Sequence, residues 1–344
     1  MASRRSWLRS VLTGLLKYGI ALAILGWLLH QNWEQLVEVA ARPKDWRIFA
    51  FAFLLCGAAA VLTFVRWYLL VWAQDLPFRL SDAIRLGFIG YVFNFVVPGL
   101  VGGDLVKAMF LAREQRRRTV SFATVALDRL IGLLALFWVG ALASIVLWSD
   151  VRARPELRQL AVWLWALSGA GLAGLGVLLT PAVYRWRWVR RTTHLPLVGR
   201  ILSELFNAAA TYQSKTGIVV LAGMMSLVCH GGFILSFSMV AWGLGGGWIP
   251  SLGEHFLMYP LAMFASSVVP IPAGVGVMEG TFGKLYELIR PAAITEETAM
   301  AAGVVTALSY RVVMLAVAAI GGVIYVFHRR EITAVLQETP TARE

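Results

Sequence analysis

The segment NFVVPGLVGGD, residues 94–104, interrupts an apolar region, and SSVVPIPAGVGVME, residues 266–279, repeats its pattern in the second half of the chain. Each is a Val-Val-Pro followed by a glycine-rich turn and one acidic residue, Asp104 or Glu279, opening a helix-like run. Proline and glycine break helices, and at membrane depth a break is tolerated only where the freed backbone faces protein or a wet cavity. A matched pair of breaks in corresponding halves of a chain points to a transporter's binding site. The turn positions are Pro98, Gly99, Gly102 and Gly103 in the first segment, and Pro270, Pro272, Gly274 and Gly276 in the second.

The lipid setting follows from composition. Of 344 residues, 59% are hydrophobic and 15% charged, far from the balance of a soluble domain. The formal net charge of +12 fits either nucleic acid or anionic lipid. Hydropathy decides for lipid, since no RNA-binding aromatic signature, zinc spacing or solvated basic domain accompanies the charge. Cys56 and Cys229 both fall in apolar spans, where a thiol behaves as a small hydrophobe. Arg4, Arg5 and Arg9 precede an apolar run with no small-residue cleavage site, which reads as a retained first span.

With about 20 apolar residues per crossing, full spans are expected near 12–30, 48–73, 120–148, 159–180, 217–243 and 298–327. The regions 82–112 and 252–289 are cut by the Pro-Gly punctuation into pieces too short to cross, and read as hairpins that enter and leave on one side. The alternative, two ordinary spans per hairpin, keeps the same parity. The expectation is an all-α integral membrane protein with six transmembrane helices and two re-entrant helical hairpins in an inverted repeat. Repeat one covers about 48–148, repeat two about 217–327, a linking span about 159–180, and 331–344 is a flexible cytoplasmic tail. Lys and Arg concentrate on one side, in Arg113, Arg116, Arg117 and Arg118, Arg185 to Arg200, and Arg329 and Arg330, which places both termini in the cytoplasm.

Ionisable side chains at membrane depth each need a partner or a wet path. At about 1.5 Å per helical residue, Asp104 and Arg129 reach similar depths, as do Glu279 and Arg311, so two mirror-related pairs are expected. Lys107 shares a helical face with Asp104, and Asp128 has Lys107 or Arg66 as candidate partners. Arg66 is close enough to a span end to snorkel. Asn94 can bond either freed backbone or substrate. His230 reads as a packing residue and His255 as an isolated residue near a surface. The candidate substrate-binding set is Asn94, Asp104, Lys107, Asp128, Arg129, Glu279 and Arg311. Each pair can serve as a purely structural bridge. The surplus of cations beside two helix N-termini favours an anionic guest such as a phosphate.

The runs NFVVPGLVGGDLVKAMFLARE, TVALDRLIGLLAL and VVPIPAGVGVMEG resemble the lysylphosphatidylglycerol synthase transmembrane-region family, also described as flippase-like, over about residues 10–330. The resemblance implies a bacterial inner-membrane lipid translocator. Relatives are associated with aminoacylated phosphatidylglycerol, or with polyprenyl-linked or hopanoid-type lipids. Asp104 and Lys107 stand where many relatives carry Glu and Arg, and Ala273 where a glycine is common. The soluble aminoacyltransferase domain of bifunctional relatives is not expected here.

Three functions compete. The first is a lipid flippase moving a lipid with an anionic or zwitterionic, phosphate-containing headgroup by alternating access. The second is a membrane-embedded transferase acting on polyprenyl phosphate or phospholipid, with Asp104, Asp128 and Glu279 as acid or base. The third is a carrier of small ions or metabolites. No Walker motif is present, so transport is expected to be downhill, ion-coupled or driven by a partner; with no His-Glu-x-x-His motif or metal-ligand set, a transporter is preferred over an enzyme, and no cofactor or metal is expected. The expected partners are a membrane lipid and the bilayer, with no nucleic acid; a homodimer and a lipid-synthesising enzyme are further candidates.

Overall fold

The computed structural model describes residues 33–41, 43–96, 102–114, 118–180, 210–245, 247–269 and 271–337, with isolated positions between 19 and 30. Most of the expected span 12–30, the turn residues Pro98, Gly99 and Pro270, and the basic run 185–200 lie outside the described residues.

All regular structure among the described residues is helical. After a short α1 (Trp33–Ala41), α2 (Trp46–Ala73) runs for 28 residues. Its start is fixed by Asp45, whose carboxylate accepts from the Arg47 N–H at 2.9 Å, an N-cap that quenches one orphan amide. The first punctuated region resolves into α3 (Leu80–Val96, 17 residues) and α4 (Gly102–Glu114, 13 residues), followed by α5 (Arg118–Val146, 29 residues). A short α6 (Trp148–Ala153) leads to α7 (Pro155–Leu179), which begins at a proline because its missing N–H is an orphan there anyway.

The second half repeats the helix lengths. α8 (Thr216–Gly243) has 28 residues, α9 (Leu252–Val268) 17 and α10 (Val277–Ile289) 13. A 3-10 turn, Pro272–Gly274, joins α9 to α10. Ser251 and Glu254 close a capping box on α9, each side chain bonding the other residue's backbone N–H. The last helix, α11 (Glu296–Gln337), continues past residue 330, so the first part of the expected tail is helical. Among the described residues five helices are long and apolar enough to cross a membrane: Trp46–Ala73, Val120–Val146, Pro155–Val177, Thr216–Gly243 and Glu296–His328. The protein is therefore a multi-pass membrane protein.

The helices pack in matching pairs. α2 lies along α8; α3 packs on α11 as α9 packs on α5; α4 packs on α5 as α10 packs on α11. Close approach is achieved by glycine. A Cβ on Gly103 of α4 would sit 2.0 Å from the Gly90 carbonyl oxygen of α3, and one on Gly303 of α11 would sit 2.6 Å from the Phe282 carbonyl oxygen of α10. Between the halves, Gly321 of α11 faces the Phe88 carbonyl, and Gly140 of α5 faces the Phe256 carbonyl. The centre of the second half is aromatic: Phe237 stacks on Phe282 at 4.2 Å and meets Tyr259, Tyr310 and His255 edge-on. Offset-stacked and edge-to-face contacts are the arrangements that the ring quadrupoles favour.

Candidate functional site

Each punctuated turn is tied down by a polar side chain. In the first, the Asn94 side-chain oxygen accepts from the Gly103 N–H at 3.0 Å, so α3 caps the start of α4. Asn94 thus bonds freed backbone, one of the two roles open to it from sequence. In the second, a Glu279 carboxylate oxygen accepts from the Gly276 N–H at 2.8 Å. One amide at each helix start is therefore satisfied by the protein itself, which lowers the number offered to a guest.

Both expected charge pairs form. Glu279 is fully buried, and its other oxygen accepts from Arg311 Nε at 2.5 Å. The remaining arms of Arg311 turn toward the hairpin's own backbone, Nη1 to the Ala273 carbonyl at 3.0 Å and Nη2 to that of Gly274 at 3.5 Å. Arg311 therefore clamps the turn that its carboxylate partner caps. In the first half Arg129 Nε donates to Asp104 Oδ2, and Lys107 Nζ lies 3.7 Å from Asp104 Oδ1. The Lys107 ammonium also sits over two rings, 5.6 Å from the Phe64 centroid and 5.4 Å from that of Trp67, a favourable cation-π setting.

The two pairs differ in exposure. The Arg129 side chain is 44% exposed, against 9% for Arg311. Arg129 falls on a stripe of exposed positions on α5 with Phe122, Ala126 and Leu133, spaced three to four residues apart along one helical face. Leu105 of α4 is also exposed. A guanidinium is thus presented between apolar side chains, while its mirror counterpart is sealed inside.

Asp128 takes Arg66, not Lys107, as its hydrogen-bonded partner. Arg66 Nε donates to Asp128 Oδ1 at 2.7 Å, and Nη1 donates to Ser226 Oγ at 2.7 Å. Gly132 leaves room for this guanidinium: a Cβ there would lie 3.1 Å from Arg66 Nη1. The expectation that Arg66 snorkels is overturned, because a carboxylate and a hydroxyl from two other helices offer it a buried site. Arg66, Asp104, Asp128 and Arg129 all lie within electrostatic reach of Lys107, forming one cluster across α2, α4 and α5.

The histidines resolve differently from each other. His230 bonds the Gly132 carbonyl at 2.9 Å, a packing role as expected. His255 is fully buried, bonded to Ser238 Oγ at 3.0 Å and Tyr286 Oη at 2.6 Å, which corrects the reading of a residue near a surface. Tyr310 Oη lies 3.3 Å from Tyr259 Oη and 3.9 Å from Cys56 Sγ. Sequence reasoning missed this hydroxyl network, since tyrosines in an apolar helix carry no signal of partners far along the chain. Among the described residues no three His, Cys, Asp or Glu side chains converge as a metal site.

No curated protein and no solved structure matches the chain. The family described as lysylphosphatidylglycerol synthase TM region matches residues 14–322, a range that contains both punctuated segments and every charged residue placed above. With most of its length covered by that match, the chain belongs to the lysylphosphatidylglycerol synthase TM-region family.

Proposed function

We propose that the protein is a translocase, not a transferase, for a lipid with a phosphate-containing headgroup, working at the cationic cluster beside the first punctuated turn. Family membership supports a lipid-related role in the membrane. The observation that carries the reading further is Arg129, a half-exposed guanidinium set among apolar exposed positions of a membrane-spanning helix. Its Nε bonds Asp104, yet much of the side chain stays exposed at membrane depth, where a charge is costly, and a lipid phosphate is an anion already anchored in that environment.

In this reading α3 with α4 and α9 with α10 are re-entrant hairpins. Legs of 17 and 13 residues extend about 26 and 20 Å, short of a hydrocarbon core of about 30 Å. The matched lengths of α2, α3 and α4 with α8, α9 and α10, and the matched packing of α2 to α5 with α8 to α11, support an inverted repeat, with α7 as the odd linking span that reverses the second unit. Both termini then face the cytoplasm of a bacterial inner membrane. The headgroup moves through the polar cluster while the tails remain in the bilayer, and the two repeats shift against each other to alternate access.

Dithionite quenching of fluorescent phospholipid in reconstituted vesicles tests the function. Wild type is expected to scramble the lipid well above empty vesicles and Arg129→Ala to lose most of that rate; equal rates in all three vesicle types reject translocation. Val275→Cys tests the hairpins. A re-entrant tip reacts slowly with a water-soluble maleimide from either face, whereas two complete crossings give fast labelling from the face opposite Ala292→Cys.

A further inference from the structure

Gly87 and Gly90, three residues apart on α3, make room for side chains reaching in from α2 and α4. A Cβ on Gly87 would collide with the Phe64 ring, and one on Gly90 would lie 3.1 Å from Lys107 Cε. Phe64 and Trp67, also three residues apart and so on one face of α2, each turn a ring to the Lys107 ammonium. Asp104 Oδ1 lies 3.7 Å from that ammonium, an ion pair too long for a hydrogen bond, and none of its N–H groups bonds an acceptor among the described residues. Trp67 is fully buried, and its indole N–H likewise has no hydrogen-bond partner. Two donors thus lack acceptors where three helices meet, although an unpaired buried donor is costly and rare in folded proteins.

We infer that Trp67 Nε1 and Lys107 Nζ form a subsite for the phosphate group of the translocated headgroup, which makes Trp67 a substrate-binding residue. The inference rests on the translocase reading above and adds to it a residue of α2. The ammonium lies 5.4 Å from the centre of the ring that carries the N–H, a separation that the oxygens of one phosphate, each bonded at about 2.9 Å, can bridge. Both groups are donors only, which suits the acceptor oxygens of a phosphodiester. Lys107 can turn to the phosphate without stranding Asp104, because Arg129 Nε still donates to the other carboxylate oxygen. The indole N–H is shut off from solvent, so this is the closed form of the subsite. The phosphate enters as α4 moves away from α2, which ties headgroup binding to motion of the hairpin.

Native mass spectrometry of the full chain in detergent, offered equimolar phosphatidylglycerol and diacylglycerol with the same tails, tests the subsite. Wild type is expected to favour the phospholipid. Trp67→Phe keeps a ring beside Lys107 and deletes the N–H; its phosphatidylglycerol retention is expected to fall about fivefold, the scale of one hydrogen bond, with diacylglycerol retention unchanged. Lys107→Met is expected to lower phosphatidylglycerol retention at least as much. The double variant is expected to lose less than the product of the two, since both donors serve one phosphate. If the smaller ring unfolds the chain, 3-benzothienylalanine at position 67, which keeps the indole shape with sulfur in place of the N–H, decides instead. Equal retention of the two lipids by wild type, phospholipid retention unchanged without the N–H, parallel losses for both lipids, or fully multiplicative losses in the double variant overturns the inference. Displacement of phosphatidylglycerol by millimolar inorganic phosphate assigns the donors to a soluble anion and likewise overturns it. Retention that depends on the N–H without scrambling keeps the subsite and removes the translocase; scrambling with retention indifferent to the N–H does the reverse.

Discussion

At Ala273 the backbone adopts φ of 51°, a left-handed conformation in which an L side chain costs about 1–2 kcal/mol. The position is held because its carbonyl must point at Arg311. Ala273→Gly removes the penalty while keeping the carbonyl, so the melting temperature in detergent is expected to rise, by about 1 kcal/mol of stability; an unchanged or lower value shows that the strain is not borne there. Arg66 gives the opposite case, a charge whose removal strands its partner. Arg66→Leu is expected to destabilise by about 3–5 kcal/mol, leaving Asp128 buried and unpaired. The double variant Arg66→Leu with Asp128→Leu recovers much of that loss, as a double-mutant cycle read by thermal unfolding will show.

Glycine governs how the elements meet. Gly103 lies against the Gly90 carbonyl, so Gly103→Ala must part α3 from α4 and is expected to cost about 1–3 kcal/mol. Gly169 of α7 is the control: an added Cβ meets nothing within 4 Å, and Gly169→Ala is expected to hold or gain stability, by up to about 1 kcal/mol from helix propensity. Equal losses in the two variants contradict backbone contact as the determinant. The feet of the second hairpin are strapped by Arg154, which donates to Glu254 at the start of α9 and to the Ile289 carbonyl at the end of α10. Arg154→Gln is expected to speed amide exchange over residues 286–290, measured by hydrogen exchange and mass spectrometry, with the α2 amides unaffected.

Across the whole molecule each half reaches into the other, α3 onto α11 and α9 onto α5, while α2 lies along α8. In the alternating access proposed above, the first two interfaces, both of which have glycine against a backbone carbonyl, slide and the third is the pivot. Gly232 of α8 approaches Ala59 of α2 closely, an added Cβ lying 3.2 Å from the alanine's, near the reach of a disulfide. Ala59→Cys with Gly232→Cys, in a background where Cys56 and Cys229 are replaced by alanine, is expected to crosslink on oxidation and to leave lipid scrambling intact. Loss of scrambling on oxidation, restored by reductant, moves the sliding boundary to α2 and α8.

The order of the long helices α2, α5, α7, α8 and α11 and the places where the chain breaks were legible in the sequence, because apolar runs and Pro-Gly punctuation are local and the bilayer sets the length scale. So were the pairs Asp104 with Arg129 and Glu279 with Arg311, since depth along a helix follows from counting residues. Azimuth does not. Which way Arg66 points, that Asp128 and Ser226 wait for it, and that His255 meets Ser238 and Tyr286 depend on how distant helices are rotated against each other. That rotation is fixed by glycine contacts and ring packing far apart in sequence. For the same reason only the tertiary structure distinguished Arg129, left half-exposed on an apolar face, from Arg311, sealed against its own turn.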